Sequence, residues 1–127
     1  MKTIVRTDAA PKAIGPYSQA VLADGWLYCS GQIPLDPATM QVVPGDAAAQ
    51  AERVLLNLVA VVKAAGGSMA DAVKVTIFLT DMSNFGKIVE LRGKWFTPPF
   101  PADTIVEVSS LALPELELEI EAIATAG

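Results

Sequence analysis

With no histidine and a single cysteine, Cys29, in 127 residues, the chain cannot build a Ser-His-Asp or Cys-His nucleophile in its usual form, nor a His-ligated zinc or iron site. Proton transfer falls to Asp, Glu, Tyr and the lone thiol. Two runs near the C-terminus present acids in a pattern. In "FPADTIVEV" (100–108) Asp103 heads a strand-like segment just after a Pro-rich turn, and period two puts Asp103, Ile105 and Glu107 on one face, opposite Thr104, Val106 and Val108. In "LELEIEAIA" (116–124) the same period sends Leu116, Leu118 and Ile120 one way and Glu117, Glu119 and Glu121 the other. A row of strand glutamates is most often a solvated face, and a strand-head Asp often caps a turn. An acid beside isoleucine on a mixed face is harder to assign to solvent.

The elements that must hold these acids read as strands, helix, strand, helix, and two closing strands. "KTIVRT" (2–7) alternates as a short strand, and "SQAVLA" (18–23) and "GWLYCSG" (25–31) flank Asp24-Gly25, a hairpin turn signal. A Pro- and Gly-interrupted loop follows over 32–46. Asp46 is placed to cap a helix whose Ala51, Leu55, Leu58, Val62 and Ala65 recur every three or four residues until Gly66-Gly67. "AVKVTIFLTD" (72–81) is a central strand with Val73, Val75, Ile77 and Leu79 on one face. Ser83 is the expected N-cap of a second helix carrying Phe85, Ile88, Val89, Trp95 and Phe96, which stops before Pro98-Pro99. The closing strands are expected over 103–110 and 116–124. This order predicts one α+β domain over residues 1–127, with both helices on one face of a single sheet.

Composition narrows the partners. A net charge of -5 and a pI near 4.5, with nine basic residues scattered along the chain, supply no footprint for a phosphate backbone, so no nucleic acid is expected. "VLLNLVAVV" (54–62) is interrupted by Asn57 and flanked by Glu52, Arg53 and Lys63, which makes it a core helix and predicts no membrane span. "MKTIVRT" has no extended apolar region, and the lone cysteine suits a reducing compartment, so the expected location is the cytoplasm. Only 18% of the residues are charged, against about 25% in ordinary chains, and mean hydropathy is +0.42. The surplus of apolar residues predicts a buried subunit interface.

Six segments, "AAPKAIGPYSQAV" (9–21), "SGQIPLDP" (30–37), "AAQAERVLLNL" (48–58), "VKVTIFLTDMSNF" (73–85), "FPADTIVEV" and "EIEAIA" (119–124), occur in the order and spacing of the RidA/YjgF family of enamine and imine deaminases, which the chain resembles over essentially its whole length. The resemblance implies a chorismate-mutase-like α+β fold, a homotrimer with a barrel-like interior, a pocket in each subunit cleft, and hydrolysis of 2-imino acids without metal or organic cofactor. It implies that Tyr17 covers the pocket, that Ser30 and Gly31 form a wall, and that Glu119 positions the water. Glu119 is thereby taken out of the solvated row.

At position 103 the resemblance breaks. The family motif has an arginine there that grips the substrate carboxylate as a bidentate fork; here it is Asp103. Ile105 stands where cysteine is common, and Val89 and Arg92 replace an asparagine and a tyrosine of the second helix. Losing charge-assisted bonds and adding repulsion should weaken 2-imino acid binding by about a thousandfold or more.

Three readings follow. The pocket hydrolyses an imine, enamine or related C–N bond in a substrate whose recognised group is neutral, hydroxylated or cationic, with Asp103 accepting a hydrogen bond. Alternatively the trimer is a non-catalytic module that binds a small ligand, regulates or protects client proteins. The third reading keeps the 2-imino acid activity, with Arg92 as the carboxylate anchor. A ribonuclease role lacks a basic footprint. If Asp103 and Glu119 face one pocket, the two carboxylates share a proton and supply a general acid beside a water-positioning base; otherwise Asp103 caps the turn or recognises a cationic group.

Overall fold

Local capping and turn chemistry fix the ends of most elements in the computed structural model, which describes residues 1–126. Strand β1 (Lys2–Val5) pairs with β2 (Ala20–Ala23), and a tight turn at Asp24 and Gly25, both in left-handed backbone at φ 51° and 80°, leads into β3 (Trp26–Gln32). Helix α1 (Ala47–Ala64) starts where the Asp46 side chain accepts the Ala49 N–H at 3.1 Å, and it gives way after Ala65 to Gly66 at φ 89°. Strand β4 (Ala72–Leu79) is followed by helix α2 (Phe85–Trp95), then β5 (Ala102–Glu107) and β6 (Leu118–Thr125).

Ser83 does not cap α2. Its N–H is donated to Asp81 Oδ1 at 2.9 Å, so Asp81 starts a 3-10 turn over Met82–Asn84 and the α-helix begins two residues after Ser83, at Phe85. The expected closing strands also shift: β5 stops at Glu107, the Val108 N–H making the last bond to β4 at the Leu79 carbonyl, 2.8 Å, and β6 starts at Leu118.

The six strands form one mixed sheet in the order β1-β2-β3-β6-β4-β5. All pairs are antiparallel except β4 and β5, which are parallel and joined through α2. Both helices cover one face, a two-layer α+β architecture. Leu27, Val75, Ile77, Leu79, Leu118 and Ile120 from the sheet are buried there with Val54, Leu58, Val61 and Ile88 from the helices. Truncating such a residue to alanine costs about 2 to 5 kcal/mol.

Polar side chains tie the loops to this core. Asn57, fully buried in α1, donates to the carbonyls of Ile33 and Leu35 at 3.2 and 3.0 Å and accepts from Arg53, which straps the 32–46 loop to the helix. Gln50 donates to the Glu115 carbonyl and accepts the Glu117 N–H, clamping the start of β6. Among the described residues, no helix is long and apolar enough to cross a membrane.

Among the described residues, no helix covers the other face of the sheet. Strand alternation places Ile4, Val21, Trp26, Tyr28, Ile123, Phe78 and Val106 there, and Ile4, Trp26 and Tyr28 are 49%, 42% and 48% exposed. Glu119 and Glu121 stand on the same face.

Candidate functional site

Glu119 owes its setting to an irregularity in the neighbouring strand. Between Cys29 and Gln32 the β3–β6 register slips, so Ser30 and Gly31 stand out of the regular ladder beside Glu119. Gly31 leaves the room that the carboxylate occupies: a Cβ at that position would collide with it, with the carboxyl carbon only 2.9 Å away. The Glu119 carboxylate accepts no hydrogen bond among the described residues. Partial burial, and to a lesser degree the neighbouring Glu121, push its pKa above the ordinary glutamate value. Such a carboxyl holds its proton more tightly than a solvated one, which suits exchange with a reacting group.

The 6–19 segment builds the wall beside it. Gln19 is buried and donates to the carbonyls of Thr7, Ala10 and Pro11 while accepting the Thr7 N–H. Ser30 donates its hydroxyl to the Ser18 carbonyl at 2.5 Å and its N–H to the Gln19 carbonyl at 2.9 Å. The Ser30 hydroxyl is therefore engaged in holding the wall. Tyr17, 53% exposed, lines a cleft of about 50 Å³ with Gly31, Lys12 and Met40, and a larger hollow of about 340 Å³ with Arg6 and Thr7. Gly31 is the link between the two: it lies against the Glu119 carboxylate and shares the smaller cleft with Tyr17, whereas Ser30 and Glu119 line neither hollow.

Asp103 lies elsewhere. In register it stands opposite Val75, whereas Glu119 stands opposite Phe78, and β4 separates β5 from β6. An offset of three residues along β4 puts the two acids on opposite faces. Proton sharing between Asp103 and Glu119 within one chain is therefore excluded. Asp103 forms an ion pair between its Oδ2 and Nη1 of Arg92 from α2, both side chains being mostly buried. Its other oxygen, Oδ1, is buried and unpartnered among the described residues. Ile105, opposite Ile77, packs against the core and does not line the cavity beside the pair.

That cavity, about 340 Å³, is walled by Val89, Phe96, Phe100 and Pro101 with Arg92 and Asp103. The sequence reading missed Phe96 and Phe100 as lining residues. The spacing of Val89, Arg92 and Phe96 along one helical stripe was the available signal. Among the described residues no group of three or more Cys, Asp or Glu side chains is placed to hold a metal ion.

Two helices on one face of a mixed sheet, with a half-buried glutamate seated over a glycine on the other, define the class of α+β fold to which the comparisons point. The family model described as Endoribonuclease L-PSP matches residues 7–126. Protein DfrA of Myxococcus xanthus is 52% identical over 122 residues, 94% of this chain and 92% of that protein. The 2-iminobutanoate/2-iminopropanoate deaminase of Bos taurus is 43% identical over 128 residues, covering all of this chain and 92% of the relative. Among solved structures, RidA from an Antarctic Psychrobacter superposes with a TM-score of 0.92 at 41% identity, covering 97% of this chain and 98% of its own. TdcF of E. coli, solved with bound serine, gives 0.91 at 40% identity, covering 98% of this chain and 99% of its own. The chain belongs to the RidA/YjgF family.

Proposed function

We propose that this chain is a hydrolytic deaminase acting on a small imine or enamine whose recognised group is not a carboxylate. The observation that carries the reading is Glu119: its carboxylate is half-buried, accepts no hydrogen bond among the described residues, and is raised in pKa beside Gly31. Such a carboxylate can accept a proton as water adds to the carbon of C=N. It can pass that proton to the nitrogen to give the tetrahedral adduct, then take the adduct's hydroxyl proton and deliver it to the nitrogen as the C–N bond breaks, leaving a carbonyl compound and ammonia. Water supplies the oxygen, and no redox partner is needed.

The site on this reading lies between subunits of a homotrimer. The uncovered apolar face of the sheet supports association. Because Glu119 and the Arg92–Asp103 pair stand on opposite faces of one chain, a cleft containing both takes one from each of two protomers. Arg92 is already neutralised by Asp103, which argues against it as the anchor for a 2-imino acid.

The test is a panel of imines, with 2-iminopropanoate generated in situ by a dehydratase and neutral imines and enamines alongside. Neutral substrates should turn over faster than 2-iminopropanoate, and Glu119→Gln should abolish the difference from background while light scattering still gives a trimer. Hydrolysis by the Gln variant at the parental rate, or no turnover of any imine by the parent, would sink the reading. A monomer mass near 13.3 kDa would remove the shared cleft.

A further inference from the structure

Among the described residues, two other than glycine adopt left-handed backbone: Asp24 at φ 51° and Met40 at φ 59°. Asp24 precedes Gly25 in the β2–β3 turn, where a short polar side chain is readily tolerated. Met40 has neither that chemistry nor the freedom of glycine, and such a backbone crowds its Cβ against the following carbonyl oxygen. The conformation is nonetheless pinned. The Met40 N–H donates to the Asp36 carbonyl at 2.7 Å, the Asp36 N–H to the Gln41 carbonyl at 2.9 Å and the Val43 N–H to the Pro34 carbonyl at 2.9 Å, around a bridge between Leu35 and Val42. Asn57 ties the carbonyls of Ile33 and Leu35 to α1. Strain of this kind persists only where the surroundings over-determine it, and it clusters at ligand sites.

What the strained turn achieves is the placement of one side chain. Met40 lines the cleft of about 50 Å³ that Gly31 and Tyr17 share, together with Ile33 and Leu35, and Gly31 lies against the Glu119 carboxylate. The larger hollow that Tyr17 also lines contains neither Met40 nor Gly31. An unbranched thioether fills irregular gaps, so Met40 narrows the cleft in which Gly31 stands. From this placement we infer that Met40 sets the size limit of the hydrolytic site, admitting imines or enamines with a small alkyl group on the reacting carbon and excluding ring-bearing ones. The inference rests on the proposed hydrolysis in taking this cleft as the place where the substrate lies. A volume of about 50 Å³ holds about three or four water-sized groups, and Ile33, Leu35 and Met40 give an alkyl group its apolar wall.

Two measurements read this. The first compares kcat/KM for neutral imines that differ only in carrying methyl or phenyl on the imine carbon. The parent should prefer the methyl compound by at least about tenfold, and Met40→Gly, which suits the left-handed backbone and removes the side chain, should reduce that preference by about tenfold or more. Met40→Leu keeps the bulk and should keep the preference. An unchanged preference in Met40→Gly overturns the inference, as does a parent without the preference. The second measurement needs no turnover: the methyl groups of isotope-labelled methionines are followed by NMR in the full chain, with the Met40 signal assigned by its loss in Met40→Leu. Acetone should shift the Met40 signal and acetophenone should leave it in place, while Met69 and Met82, packed against the core, answer neither. A Met40 signal that ignores acetone, or answers both ketones alike, overturns the inference even if Met40→Gly does not fold. The two proposals fail separately. A parent that hydrolyses both imines equally well keeps the proposed function and loses this inference; hydrolysis of neither, with Met40 answering acetone alone, loses the function and keeps the size limit.

Discussion

The two sides of the sheet use a carboxylate in opposite ways. Glu119 has no cation beside it and sits on a strand next to a slipped register, so burial acts on its charge unopposed. Asp103 is more enclosed, yet it faces an arginine from the crossover helix, and its charge is compensated. An unopposed carboxyl moves protons; a compensated one orients donors. What separates the roles is the partner each strand position meets, since the acids are equally unremarkable as residues in a β run.

Removing the unopposed acid is the sharpest way to break the contrast. Glu119→Gln should lower turnover by about 10² to 10⁴, the usual worth of a positioned proton-transfer group, with little change in circular dichroism. A corresponding loss from Asp103→Asn, with no change in ligand preference, would mean that both acids do proton chemistry.

Gly31→Ala tests the space instead of the charge. Its Cβ must push the end of the flexible Glu119 side chain aside, so turnover should fall while stability changes by no more than about 1 kcal/mol, the site being only partly buried. Urea unfolding of the variant checks the second figure.

Breaking the compensated pair from one side should act modestly, and on stability, because both side chains retain some exposure. Asp103→Ala should destabilise by about 1 to 2 kcal/mol by stranding the arginine. The double replacement Arg92→Met with Asp103→Leu should recover most of that loss, and failure to recover it would show that the pair does more than cancel charge.

The smallest effect is in pH dependence. The folded-state pKa of Glu119 is raised above its ordinary value of 4.5, so the folded chain binds this proton more tightly than the unfolded one. Its contribution is most favourable below 4.5 and is lost as pH rises through the raised pKa. The difference in stability between the parent and Glu119→Gln should therefore shift against the parent as pH rises above about 4.5. A difference moving the other way would place a cation near Glu119 in the assembled protein.

Much of the frame was legible because it is written locally. The Asp46 cap, the Asp24-Gly25 turn and the alternation of 74–79 each depend on neighbours a few residues away; at the start of β4 the register to β6 shifts between Ala72 and Lys74, so Ala72 is buried in place of the expected Val73. The start of α2 was misplaced because Asp81 and Ser83 both offer capping chemistry, and the choice between them rests on which N–H is left over. Asn57 looked like a polar interruption; that it binds two carbonyls of the 32–46 loop follows only from where the loop runs. The placement of Asp103 shows the deeper limit. Alternation tells which residues of one strand share a face, but comparing faces of two strands needs the register through β4, and no residue in "FPADTIVEV" encodes it.

The parallel connection from β4 through α2 to β5 has a consequence for inheritance. Apart from Val75 on β4, the residues lining the cavity beside Arg92 and Asp103 lie within 89–103, while Tyr17, Gly31 and Glu119 are drawn from both ends of the chain. Nearly all of that cavity is thus one contiguous cassette, separable in sequence from the residues around Glu119. A single exchange of that stretch between relatives, by recombination or by gene synthesis, can rewrite what is accepted while the rest of the framework is passed on unaltered.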